Sequence, residues 1–178
     1  MIGDGCIYGS GNENHNYRMN LAHSLKQKDY FMLKYQVLES IVKSKPRERT
    51  WTDKRTNKQY SEIRFQSVAN EFYTDLYKKW YKNGKKIINL NELRKCGAVT
   101  LAIKYFDDGC KASNGNYYIS MDDYSDECIR SFMRWMHDEF GIDSTIHSNR
   151  SLYIPGRSKE KMSEILSLIN SSDVSYKI

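Results

Sequence analysis

Proline is scarce, with only 2 in 178 residues, and no stretch approaches the roughly 18 consecutive apolar residues that a membrane-spanning helix needs. No basic segment running into an apolar one opens the chain, so it is expected to be intracellular, in the cytoplasm or an organelle matrix, and not secreted. The four cysteines, Cys6, Cys96, Cys110 and Cys128, include no Cys-x-x-Cys pair, and no histidine stands at zinc-finger spacing. That argues against structural zinc and favours free thiols in a reducing compartment. Charge of one sign is not gathered in a tail either, because the 28 Lys and Arg are spread along the chain.

What is present defines a globular protein. Hydrophobic residues make up 39%, and 14 Tyr, 6 Phe and 3 Trp supply large surfaces to bury. The length suits one domain or two fused subdomains of about 80 to 90 residues. A net charge of +6 and a pI near 9.0 point to a polyanionic partner through attraction to phosphates.

Periodicity gives the element order. Tyr17 to Ser24 alternates apolar Tyr17, Met19 and Leu21 with polar Arg18 and Asn20, as a half-buried strand does. Phe31, Tyr35, Leu38 and Val42 form one stripe of a helix over 28–43 that should stop before Pro46. Strands are expected at 47–52 and 59–67 around a polar turn, Asp53 to Lys58, with Arg64 and Gln66 on one face and Ile63 and Phe65 on the other. A helix over 69–82 should bury Phe72, Leu76 and Trp80. After a basic connector, 83–89, comes the helix that ends at Gly109. The pattern then recurs: a strand near 116–121, a helix over 125–140 behind a Ser-Asp-Glu cap, strands near 143–147 and 151–154, and a helix over 158–170.

Within this order, Leu101-Ala-Ile-Lys-Tyr-Phe-Asp-Asp-Gly109 runs an apolar helical face into two carboxylates and a glycine. Met1-Ile-Gly-Asp-Gly5 matches its end. Either Asp-Gly alone reads as a helix stop and turn. Two such acids brought together would form a hard-oxygen site for Mg²⁺ or Mn²⁺, ions that can bridge the attacking and leaving oxygens of a phosphodiester.

Leu101 to Gly109 resembles the signature of the LAGLIDADG homing endonucleases, in the Tyr-Phe-Asp-Asp-Gly form found in their single-chain, two-repeat branch. Ile2-Gly-Asp-Gly5 resembles the end of the first copy. Asn83-Gly-Lys-Lys-Ile-Ile resembles the branch's basic connector, and Tyr176-Lys-Ile178 its closing Tyr-Lys-Leu. The resemblance implies an α+β fold of two pseudo-twofold related αββαββα repeats, divided here as 1–88 and 89–178. Their antiparallel sheets would form a saddle, with the signature helices at its centre. It also implies metal ligation by Asp4 and Asp108, with Gly3 and Asp107 as further metal-site positions, Asp107 in a supporting role. Lys86 and Lys177 match lysines that flank the cleavage centre, where they polarise phosphate or organise solvent. The first signature keeps only its last five positions. Residues upstream of Met1 are therefore expected to complete that helix, which would pack against Ala98, Leu101, Ala102 and Tyr105.

The implied activity is site-specific, Mg²⁺-dependent double-strand cleavage of DNA by a monomer encoded in a mobile intron or similar element. Two alternatives share the fold: an RNA maturase that assists group I intron splicing, and a cleavage-inactive DNA-binding protein. Strand alternation nominates Arg18, Asn20, Arg47, Arg49, Arg64 and Gln66 for DNA contact in the first repeat. In the second it nominates Asn116, Tyr118, Ser120, His147 and Asn149. Arginine and amide side chains can pair bidentately with guanine and adenine edges. No histidine shows paired ligand spacing, so none is assigned to catalysis.

Overall fold

The computed structural model describes residues 3–9, 15–147 and 149–178, so Met1 and Ile2 of the first acid-glycine segment lie outside the described residues. The chain forms two compact units. One comprises Gly3–Lys78 with Ser171–Val174, the other Lys79–Asn170 with Ser175–Ile178. Among the described residues no helix is long and apolar enough to cross a membrane.

The first unit runs β1 (Cys6–Tyr8), β2 (Arg18–Ser24), α1 (Lys28–Val42), β3 (Arg47–Asp53), β4 (Lys58–Gln66) and α2 (Glu71–Trp80), the division between units falling in the last turn of α2. Its sheet is antiparallel throughout, in the order β1-β2-β4-β3. The alternation read in β2 decides which side is buried: Met19, Leu21 and His23 point inward beside Ile63 and Phe65 of β4. Helix α1 covers that side, with the rings of Phe31 and Tyr35 at 5.8 and 5.9 Å from that of Phe65. It ends at Lys43 in the left-handed conformation (φ 55°), whose N–H returns to Glu39 O, before Pro46 as expected.

At its other end α1 has no side-chain cap of its own. Asp173, brought back by the end of the chain, supplies one. Its carboxylate accepts from the Asp29 and Tyr30 N–H groups at 2.7 and 3.2 Å, placing negative charge at the helix N-terminus. On α2 the stripe expected through Phe72 is corrected. Tyr73 is 1% exposed and Phe72 47% exposed, because the helix starts behind Asn70, whose Oδ1 accepts from the Phe72 N–H. In that phase the Tyr73 ring is buried and its hydroxyl reaches Ile41 O at 2.9 Å.

The second unit opens with a hairpin where a connector was expected. Strands β5 (Tyr81–Lys82) and β6 (Lys85–Lys86) flank Asn83 and Gly84, both at positive φ (51° and 76°), the backbone that a two-residue Asn-Gly turn needs. Then come α3 (Leu90–Leu93), α4 (Ala98–Asp108), β7 (Gly109–Lys111), β8 (Tyr117–Ser120), α5 (Asp126–Phe140), β9 (Thr145–Ile146), β10 (Ser151–Ile154) and α6 (Lys159–Leu166). From α4 onward this is the αββαββα order. The sheet order, β7-β8-β10-β9, copies the first unit strand for strand. Ser125 caps α5 by accepting from Cys128 N–H, and Ile129, Phe132, Trp135 and Met136 bury its inner face. Helix α4 packs against α6 and buries Leu101, Ala102, Tyr105 and Phe106.

Two outcomes are expected. Asp173→Ala should lower stability by about 1 kcal/mol, read from urea unfolding. Burial raises the phenols of Tyr105, Tyr117 and Tyr73 above their ordinary value. Their folded pKa exceeds the unfolded one, so this stability is fully present below about pH 10 and is lost as pH rises further. Absorbance titration should show a late-ionising class of tyrosines that merges with the rest on unfolding.

Candidate functional site

Residues paired across an antiparallel ladder point to the same side of the sheet. In the first unit the rows opposite α1 read Tyr8 with Arg18, Cys6 with Asn20 and Gln66, and Ala22 with Arg64 and Arg47. They continue with Ser24, Glu62 and Arg49, and then Tyr60 with Trp51. Arg18, Asn20, Arg47, Arg49, Arg64 and Gln66 therefore share one open face. Arg64 donates to Asn20 Oδ1 at 2.9 Å and lies 3.5 Å from Glu62. Trp51 and Tyr60, exposed and stacked at 5.8 Å with the Arg49 guanidinium 5.7 Å from the Trp51 ring, belong to the same face. Counting on by twos from Arg47 would have found Trp51.

The second sheet presents Tyr118, Tyr153 and Thr145 in one row and Ser120 with Ser151 in the next. The His147 ring stacks on Tyr153 at 5.1 Å and meets Tyr118 at 5.6 Å. Tyr118, Ser120 and His147 are thus on the open side, with Tyr153 as an unforeseen member. Asn116 and Asn149 are corrected from strand to turn positions. Asn116 precedes β8, its carbonyl accepting from Ala112 N–H, and Asn149 Oδ1 accepts from Ser151 N–H. Short amide side chains compete for backbone N–H groups and so end strands.

The acids lie where elements change. Asp108 closes α4 and Gly109 opens β7. A Cβ on Gly109 would stand 2.4 Å from the Tyr105 ring, so only glycine lets the chain turn from helix to strand this closely. One helical turn before Asp108, the Lys104 side chain is almost wholly buried, and its ammonium lies 2.6 Å from Asp108 Oδ2. It also lies 5.2 Å from the Tyr124 ring centroid. The Tyr124 hydroxyl is pushed up, by burial first and by the Asp108 charge next. Lys177 donates to the carbonyls of Phe106 (2.6 Å) and Asp107 (3.1 Å), and Tyr105 OH donates to Lys177 O, so the last residues of the chain fasten the C-terminal end of α4. Half-buried Lys86 is held in the β5–β6 hairpin opposite Tyr81.

In the first unit Asp4 stands just before buried Gly5 and β1, with half-buried Gly3 on its other side. Its Oδ2 is 3.4 Å from Nδ1 of buried His23. That nitrogen is also 3.2 Å from Gln27 Oε1, and Nε2 is 3.0 Å from the Lys34 ammonium. An ammonium offers only donors, so Nε2 accepts and the Nδ1 proton faces the oxygens. Sequence reasoning passed over both His23 and Lys104, since the histidine has no paired ligand spacing and the lysine stands inside the apolar run that ends at Asp108. The Asp4 and Asp108 side chains are 34% and 29% exposed, open enough to offer oxygen to a hard divalent ion.

One sheet order used twice, with an Asp-Gly step leading into the first strand each time, defines a tandem two-repeat α+β protein. The chain belongs to the LAGLIDADG DNA endonuclease family, whose model matches residues 1–165. Among solved structures it is similar to the homing endonuclease I-WcaI bound to its DNA recognition sequence, at a TM-score of 0.84 and 18% identity, covering 99% of this chain and 80% of that one. It is also similar to I-DmoI in complex with DNA and Mn, at a TM-score of 0.59 and 20% identity, covering 93% and 91%. A curated relative, cytochrome b mRNA maturase bI2 of Debaryomyces hansenii, is 24% identical over 90 residues, or 51% of this chain. The chain spans about a third of that relative's length, the match covering 34% of it.

Lys177→Met should cost roughly 1–2 kcal/mol, because it strips two carbonyls at the negative end of α4 of a charged donor. Lys177→Arg should recover most of that loss in urea unfolding.

Proposed function

We propose that the protein is a site-specific endodeoxyribonuclease that makes a divalent-metal-dependent double-strand break and is encoded in a mobile intron or similar element. The observation that carries this reading is the repeated pairing of an open polar sheet face with a partly exposed carboxylate at the head of that same sheet. A face with arginines and amides in ladder register suits a duplex, with phosphates attracted by the net charge and base edges met by side chains. I-WcaI and I-DmoI, its neighbours in fold, were solved on DNA, the latter also with Mn or Ca.

Asp4 and Asp108 would hold Mg²⁺ or Mn²⁺, with Gly3 and Asp107 beside them. A bound ion would supply an activated water and stabilise the charge that develops on the phosphodiester. The chain's own contribution is positional. Lys177 and Tyr105 fix the end of α4, His23 orients the Asp4 carboxylate, and Lys86 brings a cation on a rigid hairpin to support phosphate. Both acids belong to one chain, so a monomer suffices. A second reading, assistance of intron RNA splicing, is supported by the likeness to the maturase of Debaryomyces hansenii.

Cleavage of a plasmid library in Mg²⁺ tests the main reading. Wild type should cut a defined site, EDTA should abolish cutting, and Asp108→Asn or Asp4→Asn should lower the rate roughly 100-fold or more. Equal cutting by wild type and Asp108→Asn would defeat the assignment. DNA affinity should fall steeply with salt as lysines and arginines displace counterions, and a flat response would sink DNA binding. Splicing of the host intron, with no cleavage of any target, would instead favour the maturase reading.

A further inference from the structure

Among the described residues, Lys104 is the one lysine in the buried set, at 2% exposure. It lies on α4 between buried Leu101, Ala102, Tyr105 and Phe106, and its ammonium meets the Asp108 carboxylate at 2.6 Å. Burying an ammonium is costly unless it is paired, so this geometry persists because Asp108 compensates it. On the proposed reading, a divalent ion would need this same carboxylate.

We propose that Lys104 is a built-in cation that competes for Asp108 and sets the affinity of that carboxylate for a divalent metal. The proposal rests on the reading of Asp108 as a metal ligand. In the apo protein the ammonium holds the carboxylate oriented at the end of α4 and neutralises it. An incoming ion must displace that hydrogen bond and also sit beside a positive charge screened by little water, so Lys104 raises the metal concentration at which this acid loads. The Asp4 side is built differently. Its carboxylate meets Nδ1 of buried His23 at 3.4 Å, and that imidazole, contacted at Nε2 by Lys34, offers a ring N–H where Lys104 offers an ammonium. Lys104 is thus the residue that weakens the Asp108 side toward cations.

Binding of Mn²⁺ alone to the full chain, followed by electron paramagnetic resonance, tests this without any DNA target or activity. Lys104→Met keeps the length of the side chain and removes its charge. It should tighten the Asp108-dependent Mn²⁺ site by roughly tenfold or more, as expected for deleting a close like charge. Lys104→Arg should stay near wild type, and the gain should vanish in the double variant Lys104→Met with Asp108→Asn. Should Lys104→Met lose the folded near-ultraviolet signal, Lys104→Gln, neutral but still able to donate to Asp108, replaces it with the same expectation. Affinity that is unchanged or weaker in the neutral variants, or an Arg variant that binds as tightly as they do, overturns the proposal. If Asp108→Asn weakens Mn²⁺ binding while Lys104→Met leaves it unchanged, only the role of Lys104 falls. If Asp108→Asn leaves Mn²⁺ binding untouched, the ligand reading of Asp108 falls and this inference with it.

Discussion

Helices cover one face of each sheet, and that forces every second residue of each strand into solvent on the other side. Phe31, Tyr35 and Phe65 bury the inner face of the first sheet, so Arg18, Asn20, Arg64 and Gln66 have nowhere to go but outward. The second unit reaches the same division with Tyr117, Ile119, Leu152 and Ile154 turned inward and Tyr118, Ser120 and Tyr153 outward. An open polar face follows from core formation, since any one-residue slip in register would exchange the two sets. The faces still differ in chemistry. The first is rich in guanidinium and amide groups, and the second gathers tyrosine rings around His147.

The acids obey another constraint. Each is placed where the chain begins the first strand of its sheet, and each has a buried basic partner within its own unit. The partners come from unlike elements, a strand for His23 and a helix for Lys104. A shared architecture thus sets where the carboxylates stand, while individual side chains set their electrostatic surroundings. The end of the chain works in the same way: Asp173 and Lys177, a few residues apart, complement opposite poles of two different helices, the N-terminus of α1 and the C-terminus of α4.

Local signals made most of the element order legible. Alternation marked β2 and β4, Pro46 and the Ser125 cap bounded α1 and α5, and the Asp-Gly steps located both acids. What escaped was short or distant. Strands β1 and β7 have three residues each, too few for a period to register, so the sequence reading places no element there. Asn83-Gly84 did carry a two-residue turn signal, masked by the lysines around it. Phe72 and Tyr73 compete for one buried position, and the start of α2 behind Asn70 buries Tyr73, whose hydroxyl meets Ile41, far away in sequence. The Asp173 cap joins residues 144 positions apart, beyond the reach of any window along the chain.

The hairpins of the two units are cut to different lengths. Strands β3 and β4 run for 7 and 9 residues, whereas β9 and β10 have 2 and 4. At about 3.3 Å per residue, the longer arm extends roughly 30 Å, close to one turn of B-form duplex, and the shorter roughly 13 Å. On the proposed reading, the two half-sites of a target carry unequal information. A drifting host sequence would escape recognition more readily through changes under the long arm than under the short one.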